Sequence, residues 1–197
     1  MTAELGIRAT RKLLTTRELT LAGFELFAQQ GYDATTVEQI ADRVGISKRT
    51  FFRYFANKED LVLGDLDHTA ALLVDALGRR PLTEQPWRSL RRSFDFFVEA
   101  CDKDARRVHN AMRILETSPD LKTAQLGKLE TWRSALVPEL SRRLAAQGDG
   151  DLMHAAAMAG AAVACLDAAL NAWYTDLGAR DLGPMLDSAM GSVAPIH

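Results

Sequence analysis

The chain has 197 residues, enough for one sizeable core or two small ones, and its 47% hydrophobic and 25% charged content is ordinary for a soluble globular protein. A net charge of −2 excludes overall basicity, yet residues 1–58 carry nine Lys/Arg against six Asp/Glu, which leaves −5 for the rest. A basic front end on an acidic body points to a polyanionic partner at one end only.

Period-two alternation is absent, and apolar residues recur at helical spacing, so the chain is expected to be all-α. Leu14, Leu21, Phe24 and Phe27 define the face of a first helix ending near Gly31. Thr35 with Glu38 reads as a capping box for a second helix, in which Val37, Ile40, Ala41 and Val44 share a face and Gly45 is the stop. Ser47 can cap a short third helix containing Phe51 and Phe55. Asn57 can cap a long fourth, with Glu59 and Asp60 in its positive first turn. After the break at Gly78–Pro81, helices are expected over about 87–101, 104–117, 119–146, 151–177 and 182–190, about nine in all. Gln147–Asp151 is a further break, and the tail from Gly191 is expected to fray.

The stretch GISKRTFFRYFANKEDL, Gly45 to Leu61, holds four aromatic rings and four basic side chains. Two short helices around Gly45, with Ala41 four residues before it and Phe51 six after, form a helix-turn-helix pattern. If Phe51 and Phe55 face inward, Lys48, Arg49 and Phe52 face outward, flanked by Arg53 and Tyr54. Such a face suits sugar–phosphate packing, phosphate neutralisation and base-edge contacts. A solvated basic face on an ordinary helical hairpin is the competing reading.

From Arg11 to Leu61 the chain resembles the DNA-binding domain of the TetR (tetracycline-repressor-like) family. The resemblance rests on LFAQQGYDATTVEQIADRVGISKRTFFRYFANKEDL, with its LF…GY, TTV…IA, G-[VI]-S, T-[LF]-[YF]-x-[YH]-F and KE-x-L elements in order. It implies a helix-turn-helix domain over 1–56 and a helical ligand-binding and dimerisation domain over 57–197. It also implies that Lys48, Arg49 and Thr50 enter the major groove beside Ser47, while Thr36, Tyr54 and Lys58 hold phosphates. Many members carry tyrosine where Phe52 stands, so Phe52 is left to pack on a thymine methyl or sugar, with Arg53 supplying charge. The preceding RATRKLLTTR segment, with Arg8, Arg11, Lys12 and Arg17, reads either as a flexible basic arm reaching DNA or as a solvated tail.

The resemblance further implies a small-molecule pocket after the DNA-binding domain. Bulky apolar residues are the candidates for its lining: Phe94, Phe97, Met112, Leu115, Trp132, Leu136, Leu166 and Trp173, each of which could equally be plain core. Phe94 to Phe97 reads FDFF, and its three rings cannot all share one helix face. Asp167 and Asn171, one turn apart in an apolar helix, could orient a ligand or sit at a subunit boundary. In that helix Leu166, Leu170, Trp173 and Leu177 form a bulky face, and Ala157, Ala161, Ala164, Ala168 and Ala172 form a nearly opposite stripe. The stripe suits close approach of a second copy, although alanine is also simply a good helix former.

Other chemistry has little support. His68, His109, His154 and His197 lack ligand spacing, so no metal or cofactor is expected. There is no GxGxxG, P-loop or GxSxG, and Glu99, Asp167 or His109 as a lone acid–base group assembles no catalytic constellation. Cys101 and Cys165 form neither CxxC nor a disulfide framework, which fits a reducing cytosol. The longest apolar run, Ala155 to Leu166, is too short to span a bilayer, and the N-terminus has no secretory apolar core. The expectation is a cytoplasmic, homodimeric, ligand-responsive repressor on a palindromic double-stranded operator, with an apolar effector. A helical carrier or enzyme that no longer regulates transcription is the alternative.

Overall fold

The computed structural model describes residues 2–64, 66–148, 150–176 and 179–195, with backbone alone at 2–10, 66 and 67. Among these residues there is no strand. The chain divides into two compact units, Met1–Asp65 with Arg113–Ala124, and Leu66–Met112 with Gln125–His197.

The first unit opens with α1 (Thr2–Gln30). The expected basic arm is therefore helical. Arg11, Lys12 and Arg17 lie on α1, as does the backbone of Arg8, whose side chain is outside those described. Alanine, leucine, arginine and lysine at the start of this segment are all good helix formers, and no proline interrupts them. Leu19, Ala22, Leu26 and Phe27 are the buried face, whereas Leu14 and Leu21 are exposed and Phe24 is half-buried. The expected face was thus rotated. Close packing of α4 (Glu59–Leu63) selects the other stripe, because a Cβ at Gly23 would stand 3.1 Å from a Leu61 methyl.

Gly31, at φ 87°, ends α1. The capping box of α2 (Val37–Val44) lies one residue later than expected. The Thr36 hydroxyl accepts from Gln39 N at 3.2 Å, and Gln39 Oε1 accepts from Thr36 N at 2.9 Å. Thr35 is buried instead, and its hydroxyl donates to Gly31 O at 2.7 Å. Ile40 and Ala41 are fully buried between half-buried Val37 and Val44, and Gly45 closes the helix at φ 73°.

The long fourth helix expected from Asn57 is split. Asn57 Oδ1 does accept from Asp60 N at 2.9 Å, but Gly64 adopts φ 75° and separates α4 from α5 (Leu66–Gly78). The helix expected over 87–101 is likewise divided at Phe94, between α6 (Pro86–Ser93) and α7 (Asp95–Lys103). These two divisions turn the nine expected helices into eleven segments among the described residues. The others are α3 (Lys48–Phe51), α8 (Ala105–Thr117), α9 (Pro119–Ala146), α10 (Leu152–Thr175) and α11 (Leu182–Val193). The helix α8 ends, and α9 begins, within the first unit, around buried Ser118.

The second unit is organised around Arg143 of α9, which is wholly buried. Its guanidinium donates to Leu77 O, to Arg80 O at 2.6 Å, to Pro81 O at 3.1 Å and to Glu139 Oε1 at 3.0 Å. It thereby adds a charged donor to carbonyls at the end of α5 and in the following turn, where Leu77 O also accepts from Arg80 N and Pro81 O from Glu84 N. Arg91 ties α6 to α11 through Asp187, and Trp87 Nε1 donates to Ala194 O at 3.1 Å. Helix α10 buries Leu166 and Trp173 and half-buries Leu170, as expected; Leu177 lies outside the described residues. At 24 residues it is long and apolar enough to cross a membrane, so the twelve-residue run understated it, and 39% of its apolar window is buried within the protein.

Candidate functional site

The reading turn is built by its caps. Ser47 begins α3 by accepting from Thr50 N at 3.2 Å, and its hydroxyl also meets the Thr50 hydroxyl at 2.9 Å. Beyond Phe51 the ladder tightens, with Arg53 N donating to Thr50 O and Tyr54 N to Phe51 O. The helix expected to read DNA is therefore one α-turn with a tightened continuation. Phe51 is its only fully buried side chain, stacked against half-buried Phe55 at 5.5 Å.

Lys48, Arg49, Phe52 and Arg53 are exposed, and Tyr54 is half-buried. The Arg53 guanidinium lies 6.0 Å from the Tyr54 ring centroid. With Arg11 and Lys12 of α1, these two residues line an open groove of about 510 Å³. Three cations around one groove are suited to a polyanion. Thr36 is exposed at the N-terminus of α2, where helix amides favour an anion.

Two expected contacts are already occupied. Lys48 Nζ donates to Glu38 Oε1 on α2. Lys58 donates to Tyr32 O at 2.7 Å and Thr35 O at 2.9 Å, with its ammonium 3.9 Å from the Tyr32 ring centroid. Lys58, expected to hold a phosphate, is thus engaged within the protein. The ammonium clamps the α1–α2 turn, and partial burial lowers its pKa. Tyr32 is buried at the same place, and burial with nearby Glu59 raises its phenol's pKa.

A further bond at this turn could not be read from the sequence. Ser118, 85 residues away, donates to Asp33 Oδ1 at 2.8 Å.

In the second unit, Phe94, Met112, Trp132, Leu136 and Trp173 are buried, while Phe97 and Asn171 are half-buried. Phe97 meets Trp132 edge-on at 5.4 Å, and His109 meets Trp173 at 4.8 Å. Asn171 Nδ2 donates to Asp167 O, which occupies one of its polar groups locally. His109 Nε2 and Gln125 Oε1 are buried without hydrogen-bond partners. Gln125 carried no sequence signal, because an isolated glutamine on a helix ordinarily faces water. Burial pushes the Cys101 thiol up to about 12 and also raises Cys165, so neither is a reactive thiolate at neutral pH.

The alanine stripe of α10 is open: Ala157, Ala164, Ala168 and Ala172 are exposed and Ala161 is half-buried.

Comparison with known proteins agrees with this geometry. Residues 19–64 match the model for bacterial regulatory proteins of the tetR family, and residues 84–197 match the MftR C-terminal domain. The transcriptional regulator TcmR of Streptomyces glaucescens is 35% identical over 153 residues, covering 74% of this chain and 67% of TcmR. Among solved structures, Thermus thermophilus FadR, a repressor bound to lauroyl-CoA, aligns at TM-score 0.54 and 21% identity over 92% of this chain and 94% of FadR. The SmeT–triclosan complex aligns at TM-score 0.58 and 19% identity, covering 91% of each chain.

Proposed function

Since the chain belongs to the tetR family of bacterial regulatory proteins and is a DNA-binding transcriptional regulator, we propose that it is a cytoplasmic, ligand-responsive repressor acting as a homodimer on a palindromic operator. The observation that carries the DNA reading is the capped α2–α3 pair, which exposes Lys48, Arg49, Phe52 and Arg53 over a single buried anchor, Phe51. Thr36, Ser47, Thr50 and Tyr54 complete the DNA-facing set. The Lys58 clamp supports it from behind.

The exposed alanine stripe supports the dimer. A solvated helix face ordinarily carries Lys, Glu or Arg, whereas this one presents methyl groups from Ala157 to Ala172. A second copy of α10 and α11, related by a two-fold axis, covers it in this reading. The effector is an apolar small molecule held among Phe97, Trp132 and Trp173, and His109 Nε2 or Gln125 Oε1 offers it a polar contact. Lauroyl-CoA and triclosan, bound by the two structural neighbours, each carry a large apolar part, the lauroyl chain and the chlorinated rings. Release of DNA requires the effector to bind the non-DNA form more tightly. Catalysis has no part in this reading.

Two measurements test it together. Selection of genomic fragments by the purified protein should return a sequence with two-fold symmetry. Ala164→Glu should keep its helical circular dichroism, sediment as a monomer and lose most affinity for that fragment. A dimeric Ala164→Glu with normal helicity would refute the interface, and selection of no fragment would refute the operator.

A further inference from the structure

Of the side chains expected to enter the major groove, Lys48 alone already has an acidic partner. Its ammonium donates to Glu38 Oε1, and both side chains are 53% exposed. Arg49, the next residue, is exposed. Glu38 projects from the first turn of α2, beside the Thr36 cap. Helix amides there favour a phosphate, and a carboxylate at the same end competes for that attraction.

Resting on the DNA-reading role proposed above, we propose that Glu38 is a specificity-determining residue, which holds Lys48 across the reading face until a base edge offers the ammonium a competing acceptor. On a random sequence Lys48 stays with Glu38. The protein then meets the duplex with one cation neutralised and one carboxylate near the phosphates. On a matched sequence, acceptors such as guanine O6 and N7 take the ammonium, and Lys48 contributes its charge and its hydrogen bonds. Repulsion of phosphates by the carboxylate is common to all sequences, but the silencing of Lys48 is confined to unmatched ones. Glu38 thus lowers affinity for the many wrong sites more than for the right one.

The geometry suits an exchange of this kind. A half-exposed ion pair is weak, worth a few-fold in water, so two well-placed hydrogen bonds to a base edge displace it where a single poorly aimed contact does not. Contact with Lys48 holds the Glu38 carboxyl below its ordinary range, so the pair is intact at neutral pH. The exchange requires no backbone movement, because caps at Thr36 and Ser47 fix both helices independently of this pair.

The test is a double-mutant cycle on a random-sequence duplex, measured by fluorescence anisotropy across a salt series. Glu38→Gln should bind the random duplex about 3- to 10-fold tighter than wild type, with a salt slope steeper by about one. On a Lys48→Ala background the same substitution should gain no more than about twofold. Against a duplex selected by the wild-type protein from a random library, Glu38→Gln should narrow the ratio of selected to random affinity by about threefold or more. Equal gains on both backgrounds would show that Glu38 acts only as a bare charge and would overturn the proposal, as would an unchanged ratio. Wild-type protein that binds no duplex at low salt would remove the DNA reading itself, and this inference with it. Thermal melting of each variant shows whether α2 remains folded.

Discussion

Lys58→Met separates two roles that a lysine at this position could play. In the structure the ammonium donates to Tyr32 O and Thr35 O and lies against the Tyr32 ring. Tyr32 is 5% exposed and Thr35 is 1% exposed, so water cannot readily replace the lost donor. Hydrogen bonds from a charged donor are worth about 1.5–3 kcal/mol each, and a cation–π contact adds about 0.5–2 kcal/mol. Desolvation of the ammonium, visible in its lowered pKa, offsets part of that sum. Methionine keeps the aliphatic packing, so the substitution should cost the first unit about 2–4 kcal/mol. Amide hydrogen exchange over α2 reads this directly as a fall in opening free energy of the same size. A salt series on DNA reads the alternative. A phosphate contact would lower the salt slope by about 0.9, whereas a clamp leaves the slope unchanged. A slope reduced by about one, with hydrogen exchange unaltered, would refute the clamp and restore Lys58 to the DNA-contacting set.

Arg143→Met should lower the stability of the second unit by about 2–4 kcal/mol, because the Arg80 carbonyl loses its charged donor and those of Leu77 and Pro81 keep only a backbone amide each; an unchanged urea midpoint followed by tryptophan fluorescence would contradict this. Acid should destabilise the same region. Arg80, with the Ser89 hydroxyl, holds the Glu84 carboxyl at about 2, against an ordinary 4.5. Its stabilisation is therefore complete above the unfolded value and is lost as pH falls from there towards 2. Glu84→Gln should flatten the thermal midpoint across that window and leave its pH dependence near neutrality unchanged.

Much of the first unit was legible because its signals are local. Gly45 as a stop, Ser47 as a cap and Phe51 as an anchor depend on neighbours within a few residues, and each is where the pattern put it. Adjacent threonines were the first point of failure. Both Thr35 and Thr36 have a suitable residue three positions on, Glu38 and Gln39, and only burial of the Thr35 hydroxyl against Gly31 O decides between them. The buried face of α1 departs from the expected one for a comparable reason. Two apolar stripes compete, and the contact that chooses one comes from Leu61, far along the chain. Arg143 sits in ELSRRLAA, where a buried arginine and its exposed neighbour Arg142 look alike; the difference lies in carbonyls more than 60 residues earlier. The burial of the His109 and Gln125 polar atoms was out of reach because it depends on tertiary packing, for His109 against Trp173, which sequence spacing does not encode.

The α1–α2 turn explains how so small a reading helix can be held in register. One buried ring, Phe51, cannot orient α3 alone, since packing is only weakly directional. Hydrogen bonds supply the missing direction, and several converge between Gly31 and Thr36. Lys58 reaches the turn from the start of α4, Gln30 from α1, and Ser118 from the corner of α8 and α9. The Ser118 bond differs from the others in where its helices lead. Residues 113–124 belong to the first unit, while the remainder of α8, with His109, and of α9, with Trp132, belongs to the second. Along the chain, α8 and α9 therefore connect the Ser118 corner to the residues proposed for the effector. The link needs a single directional bond at its end, which buried Ser118 donates to the exposed Asp33 carboxylate.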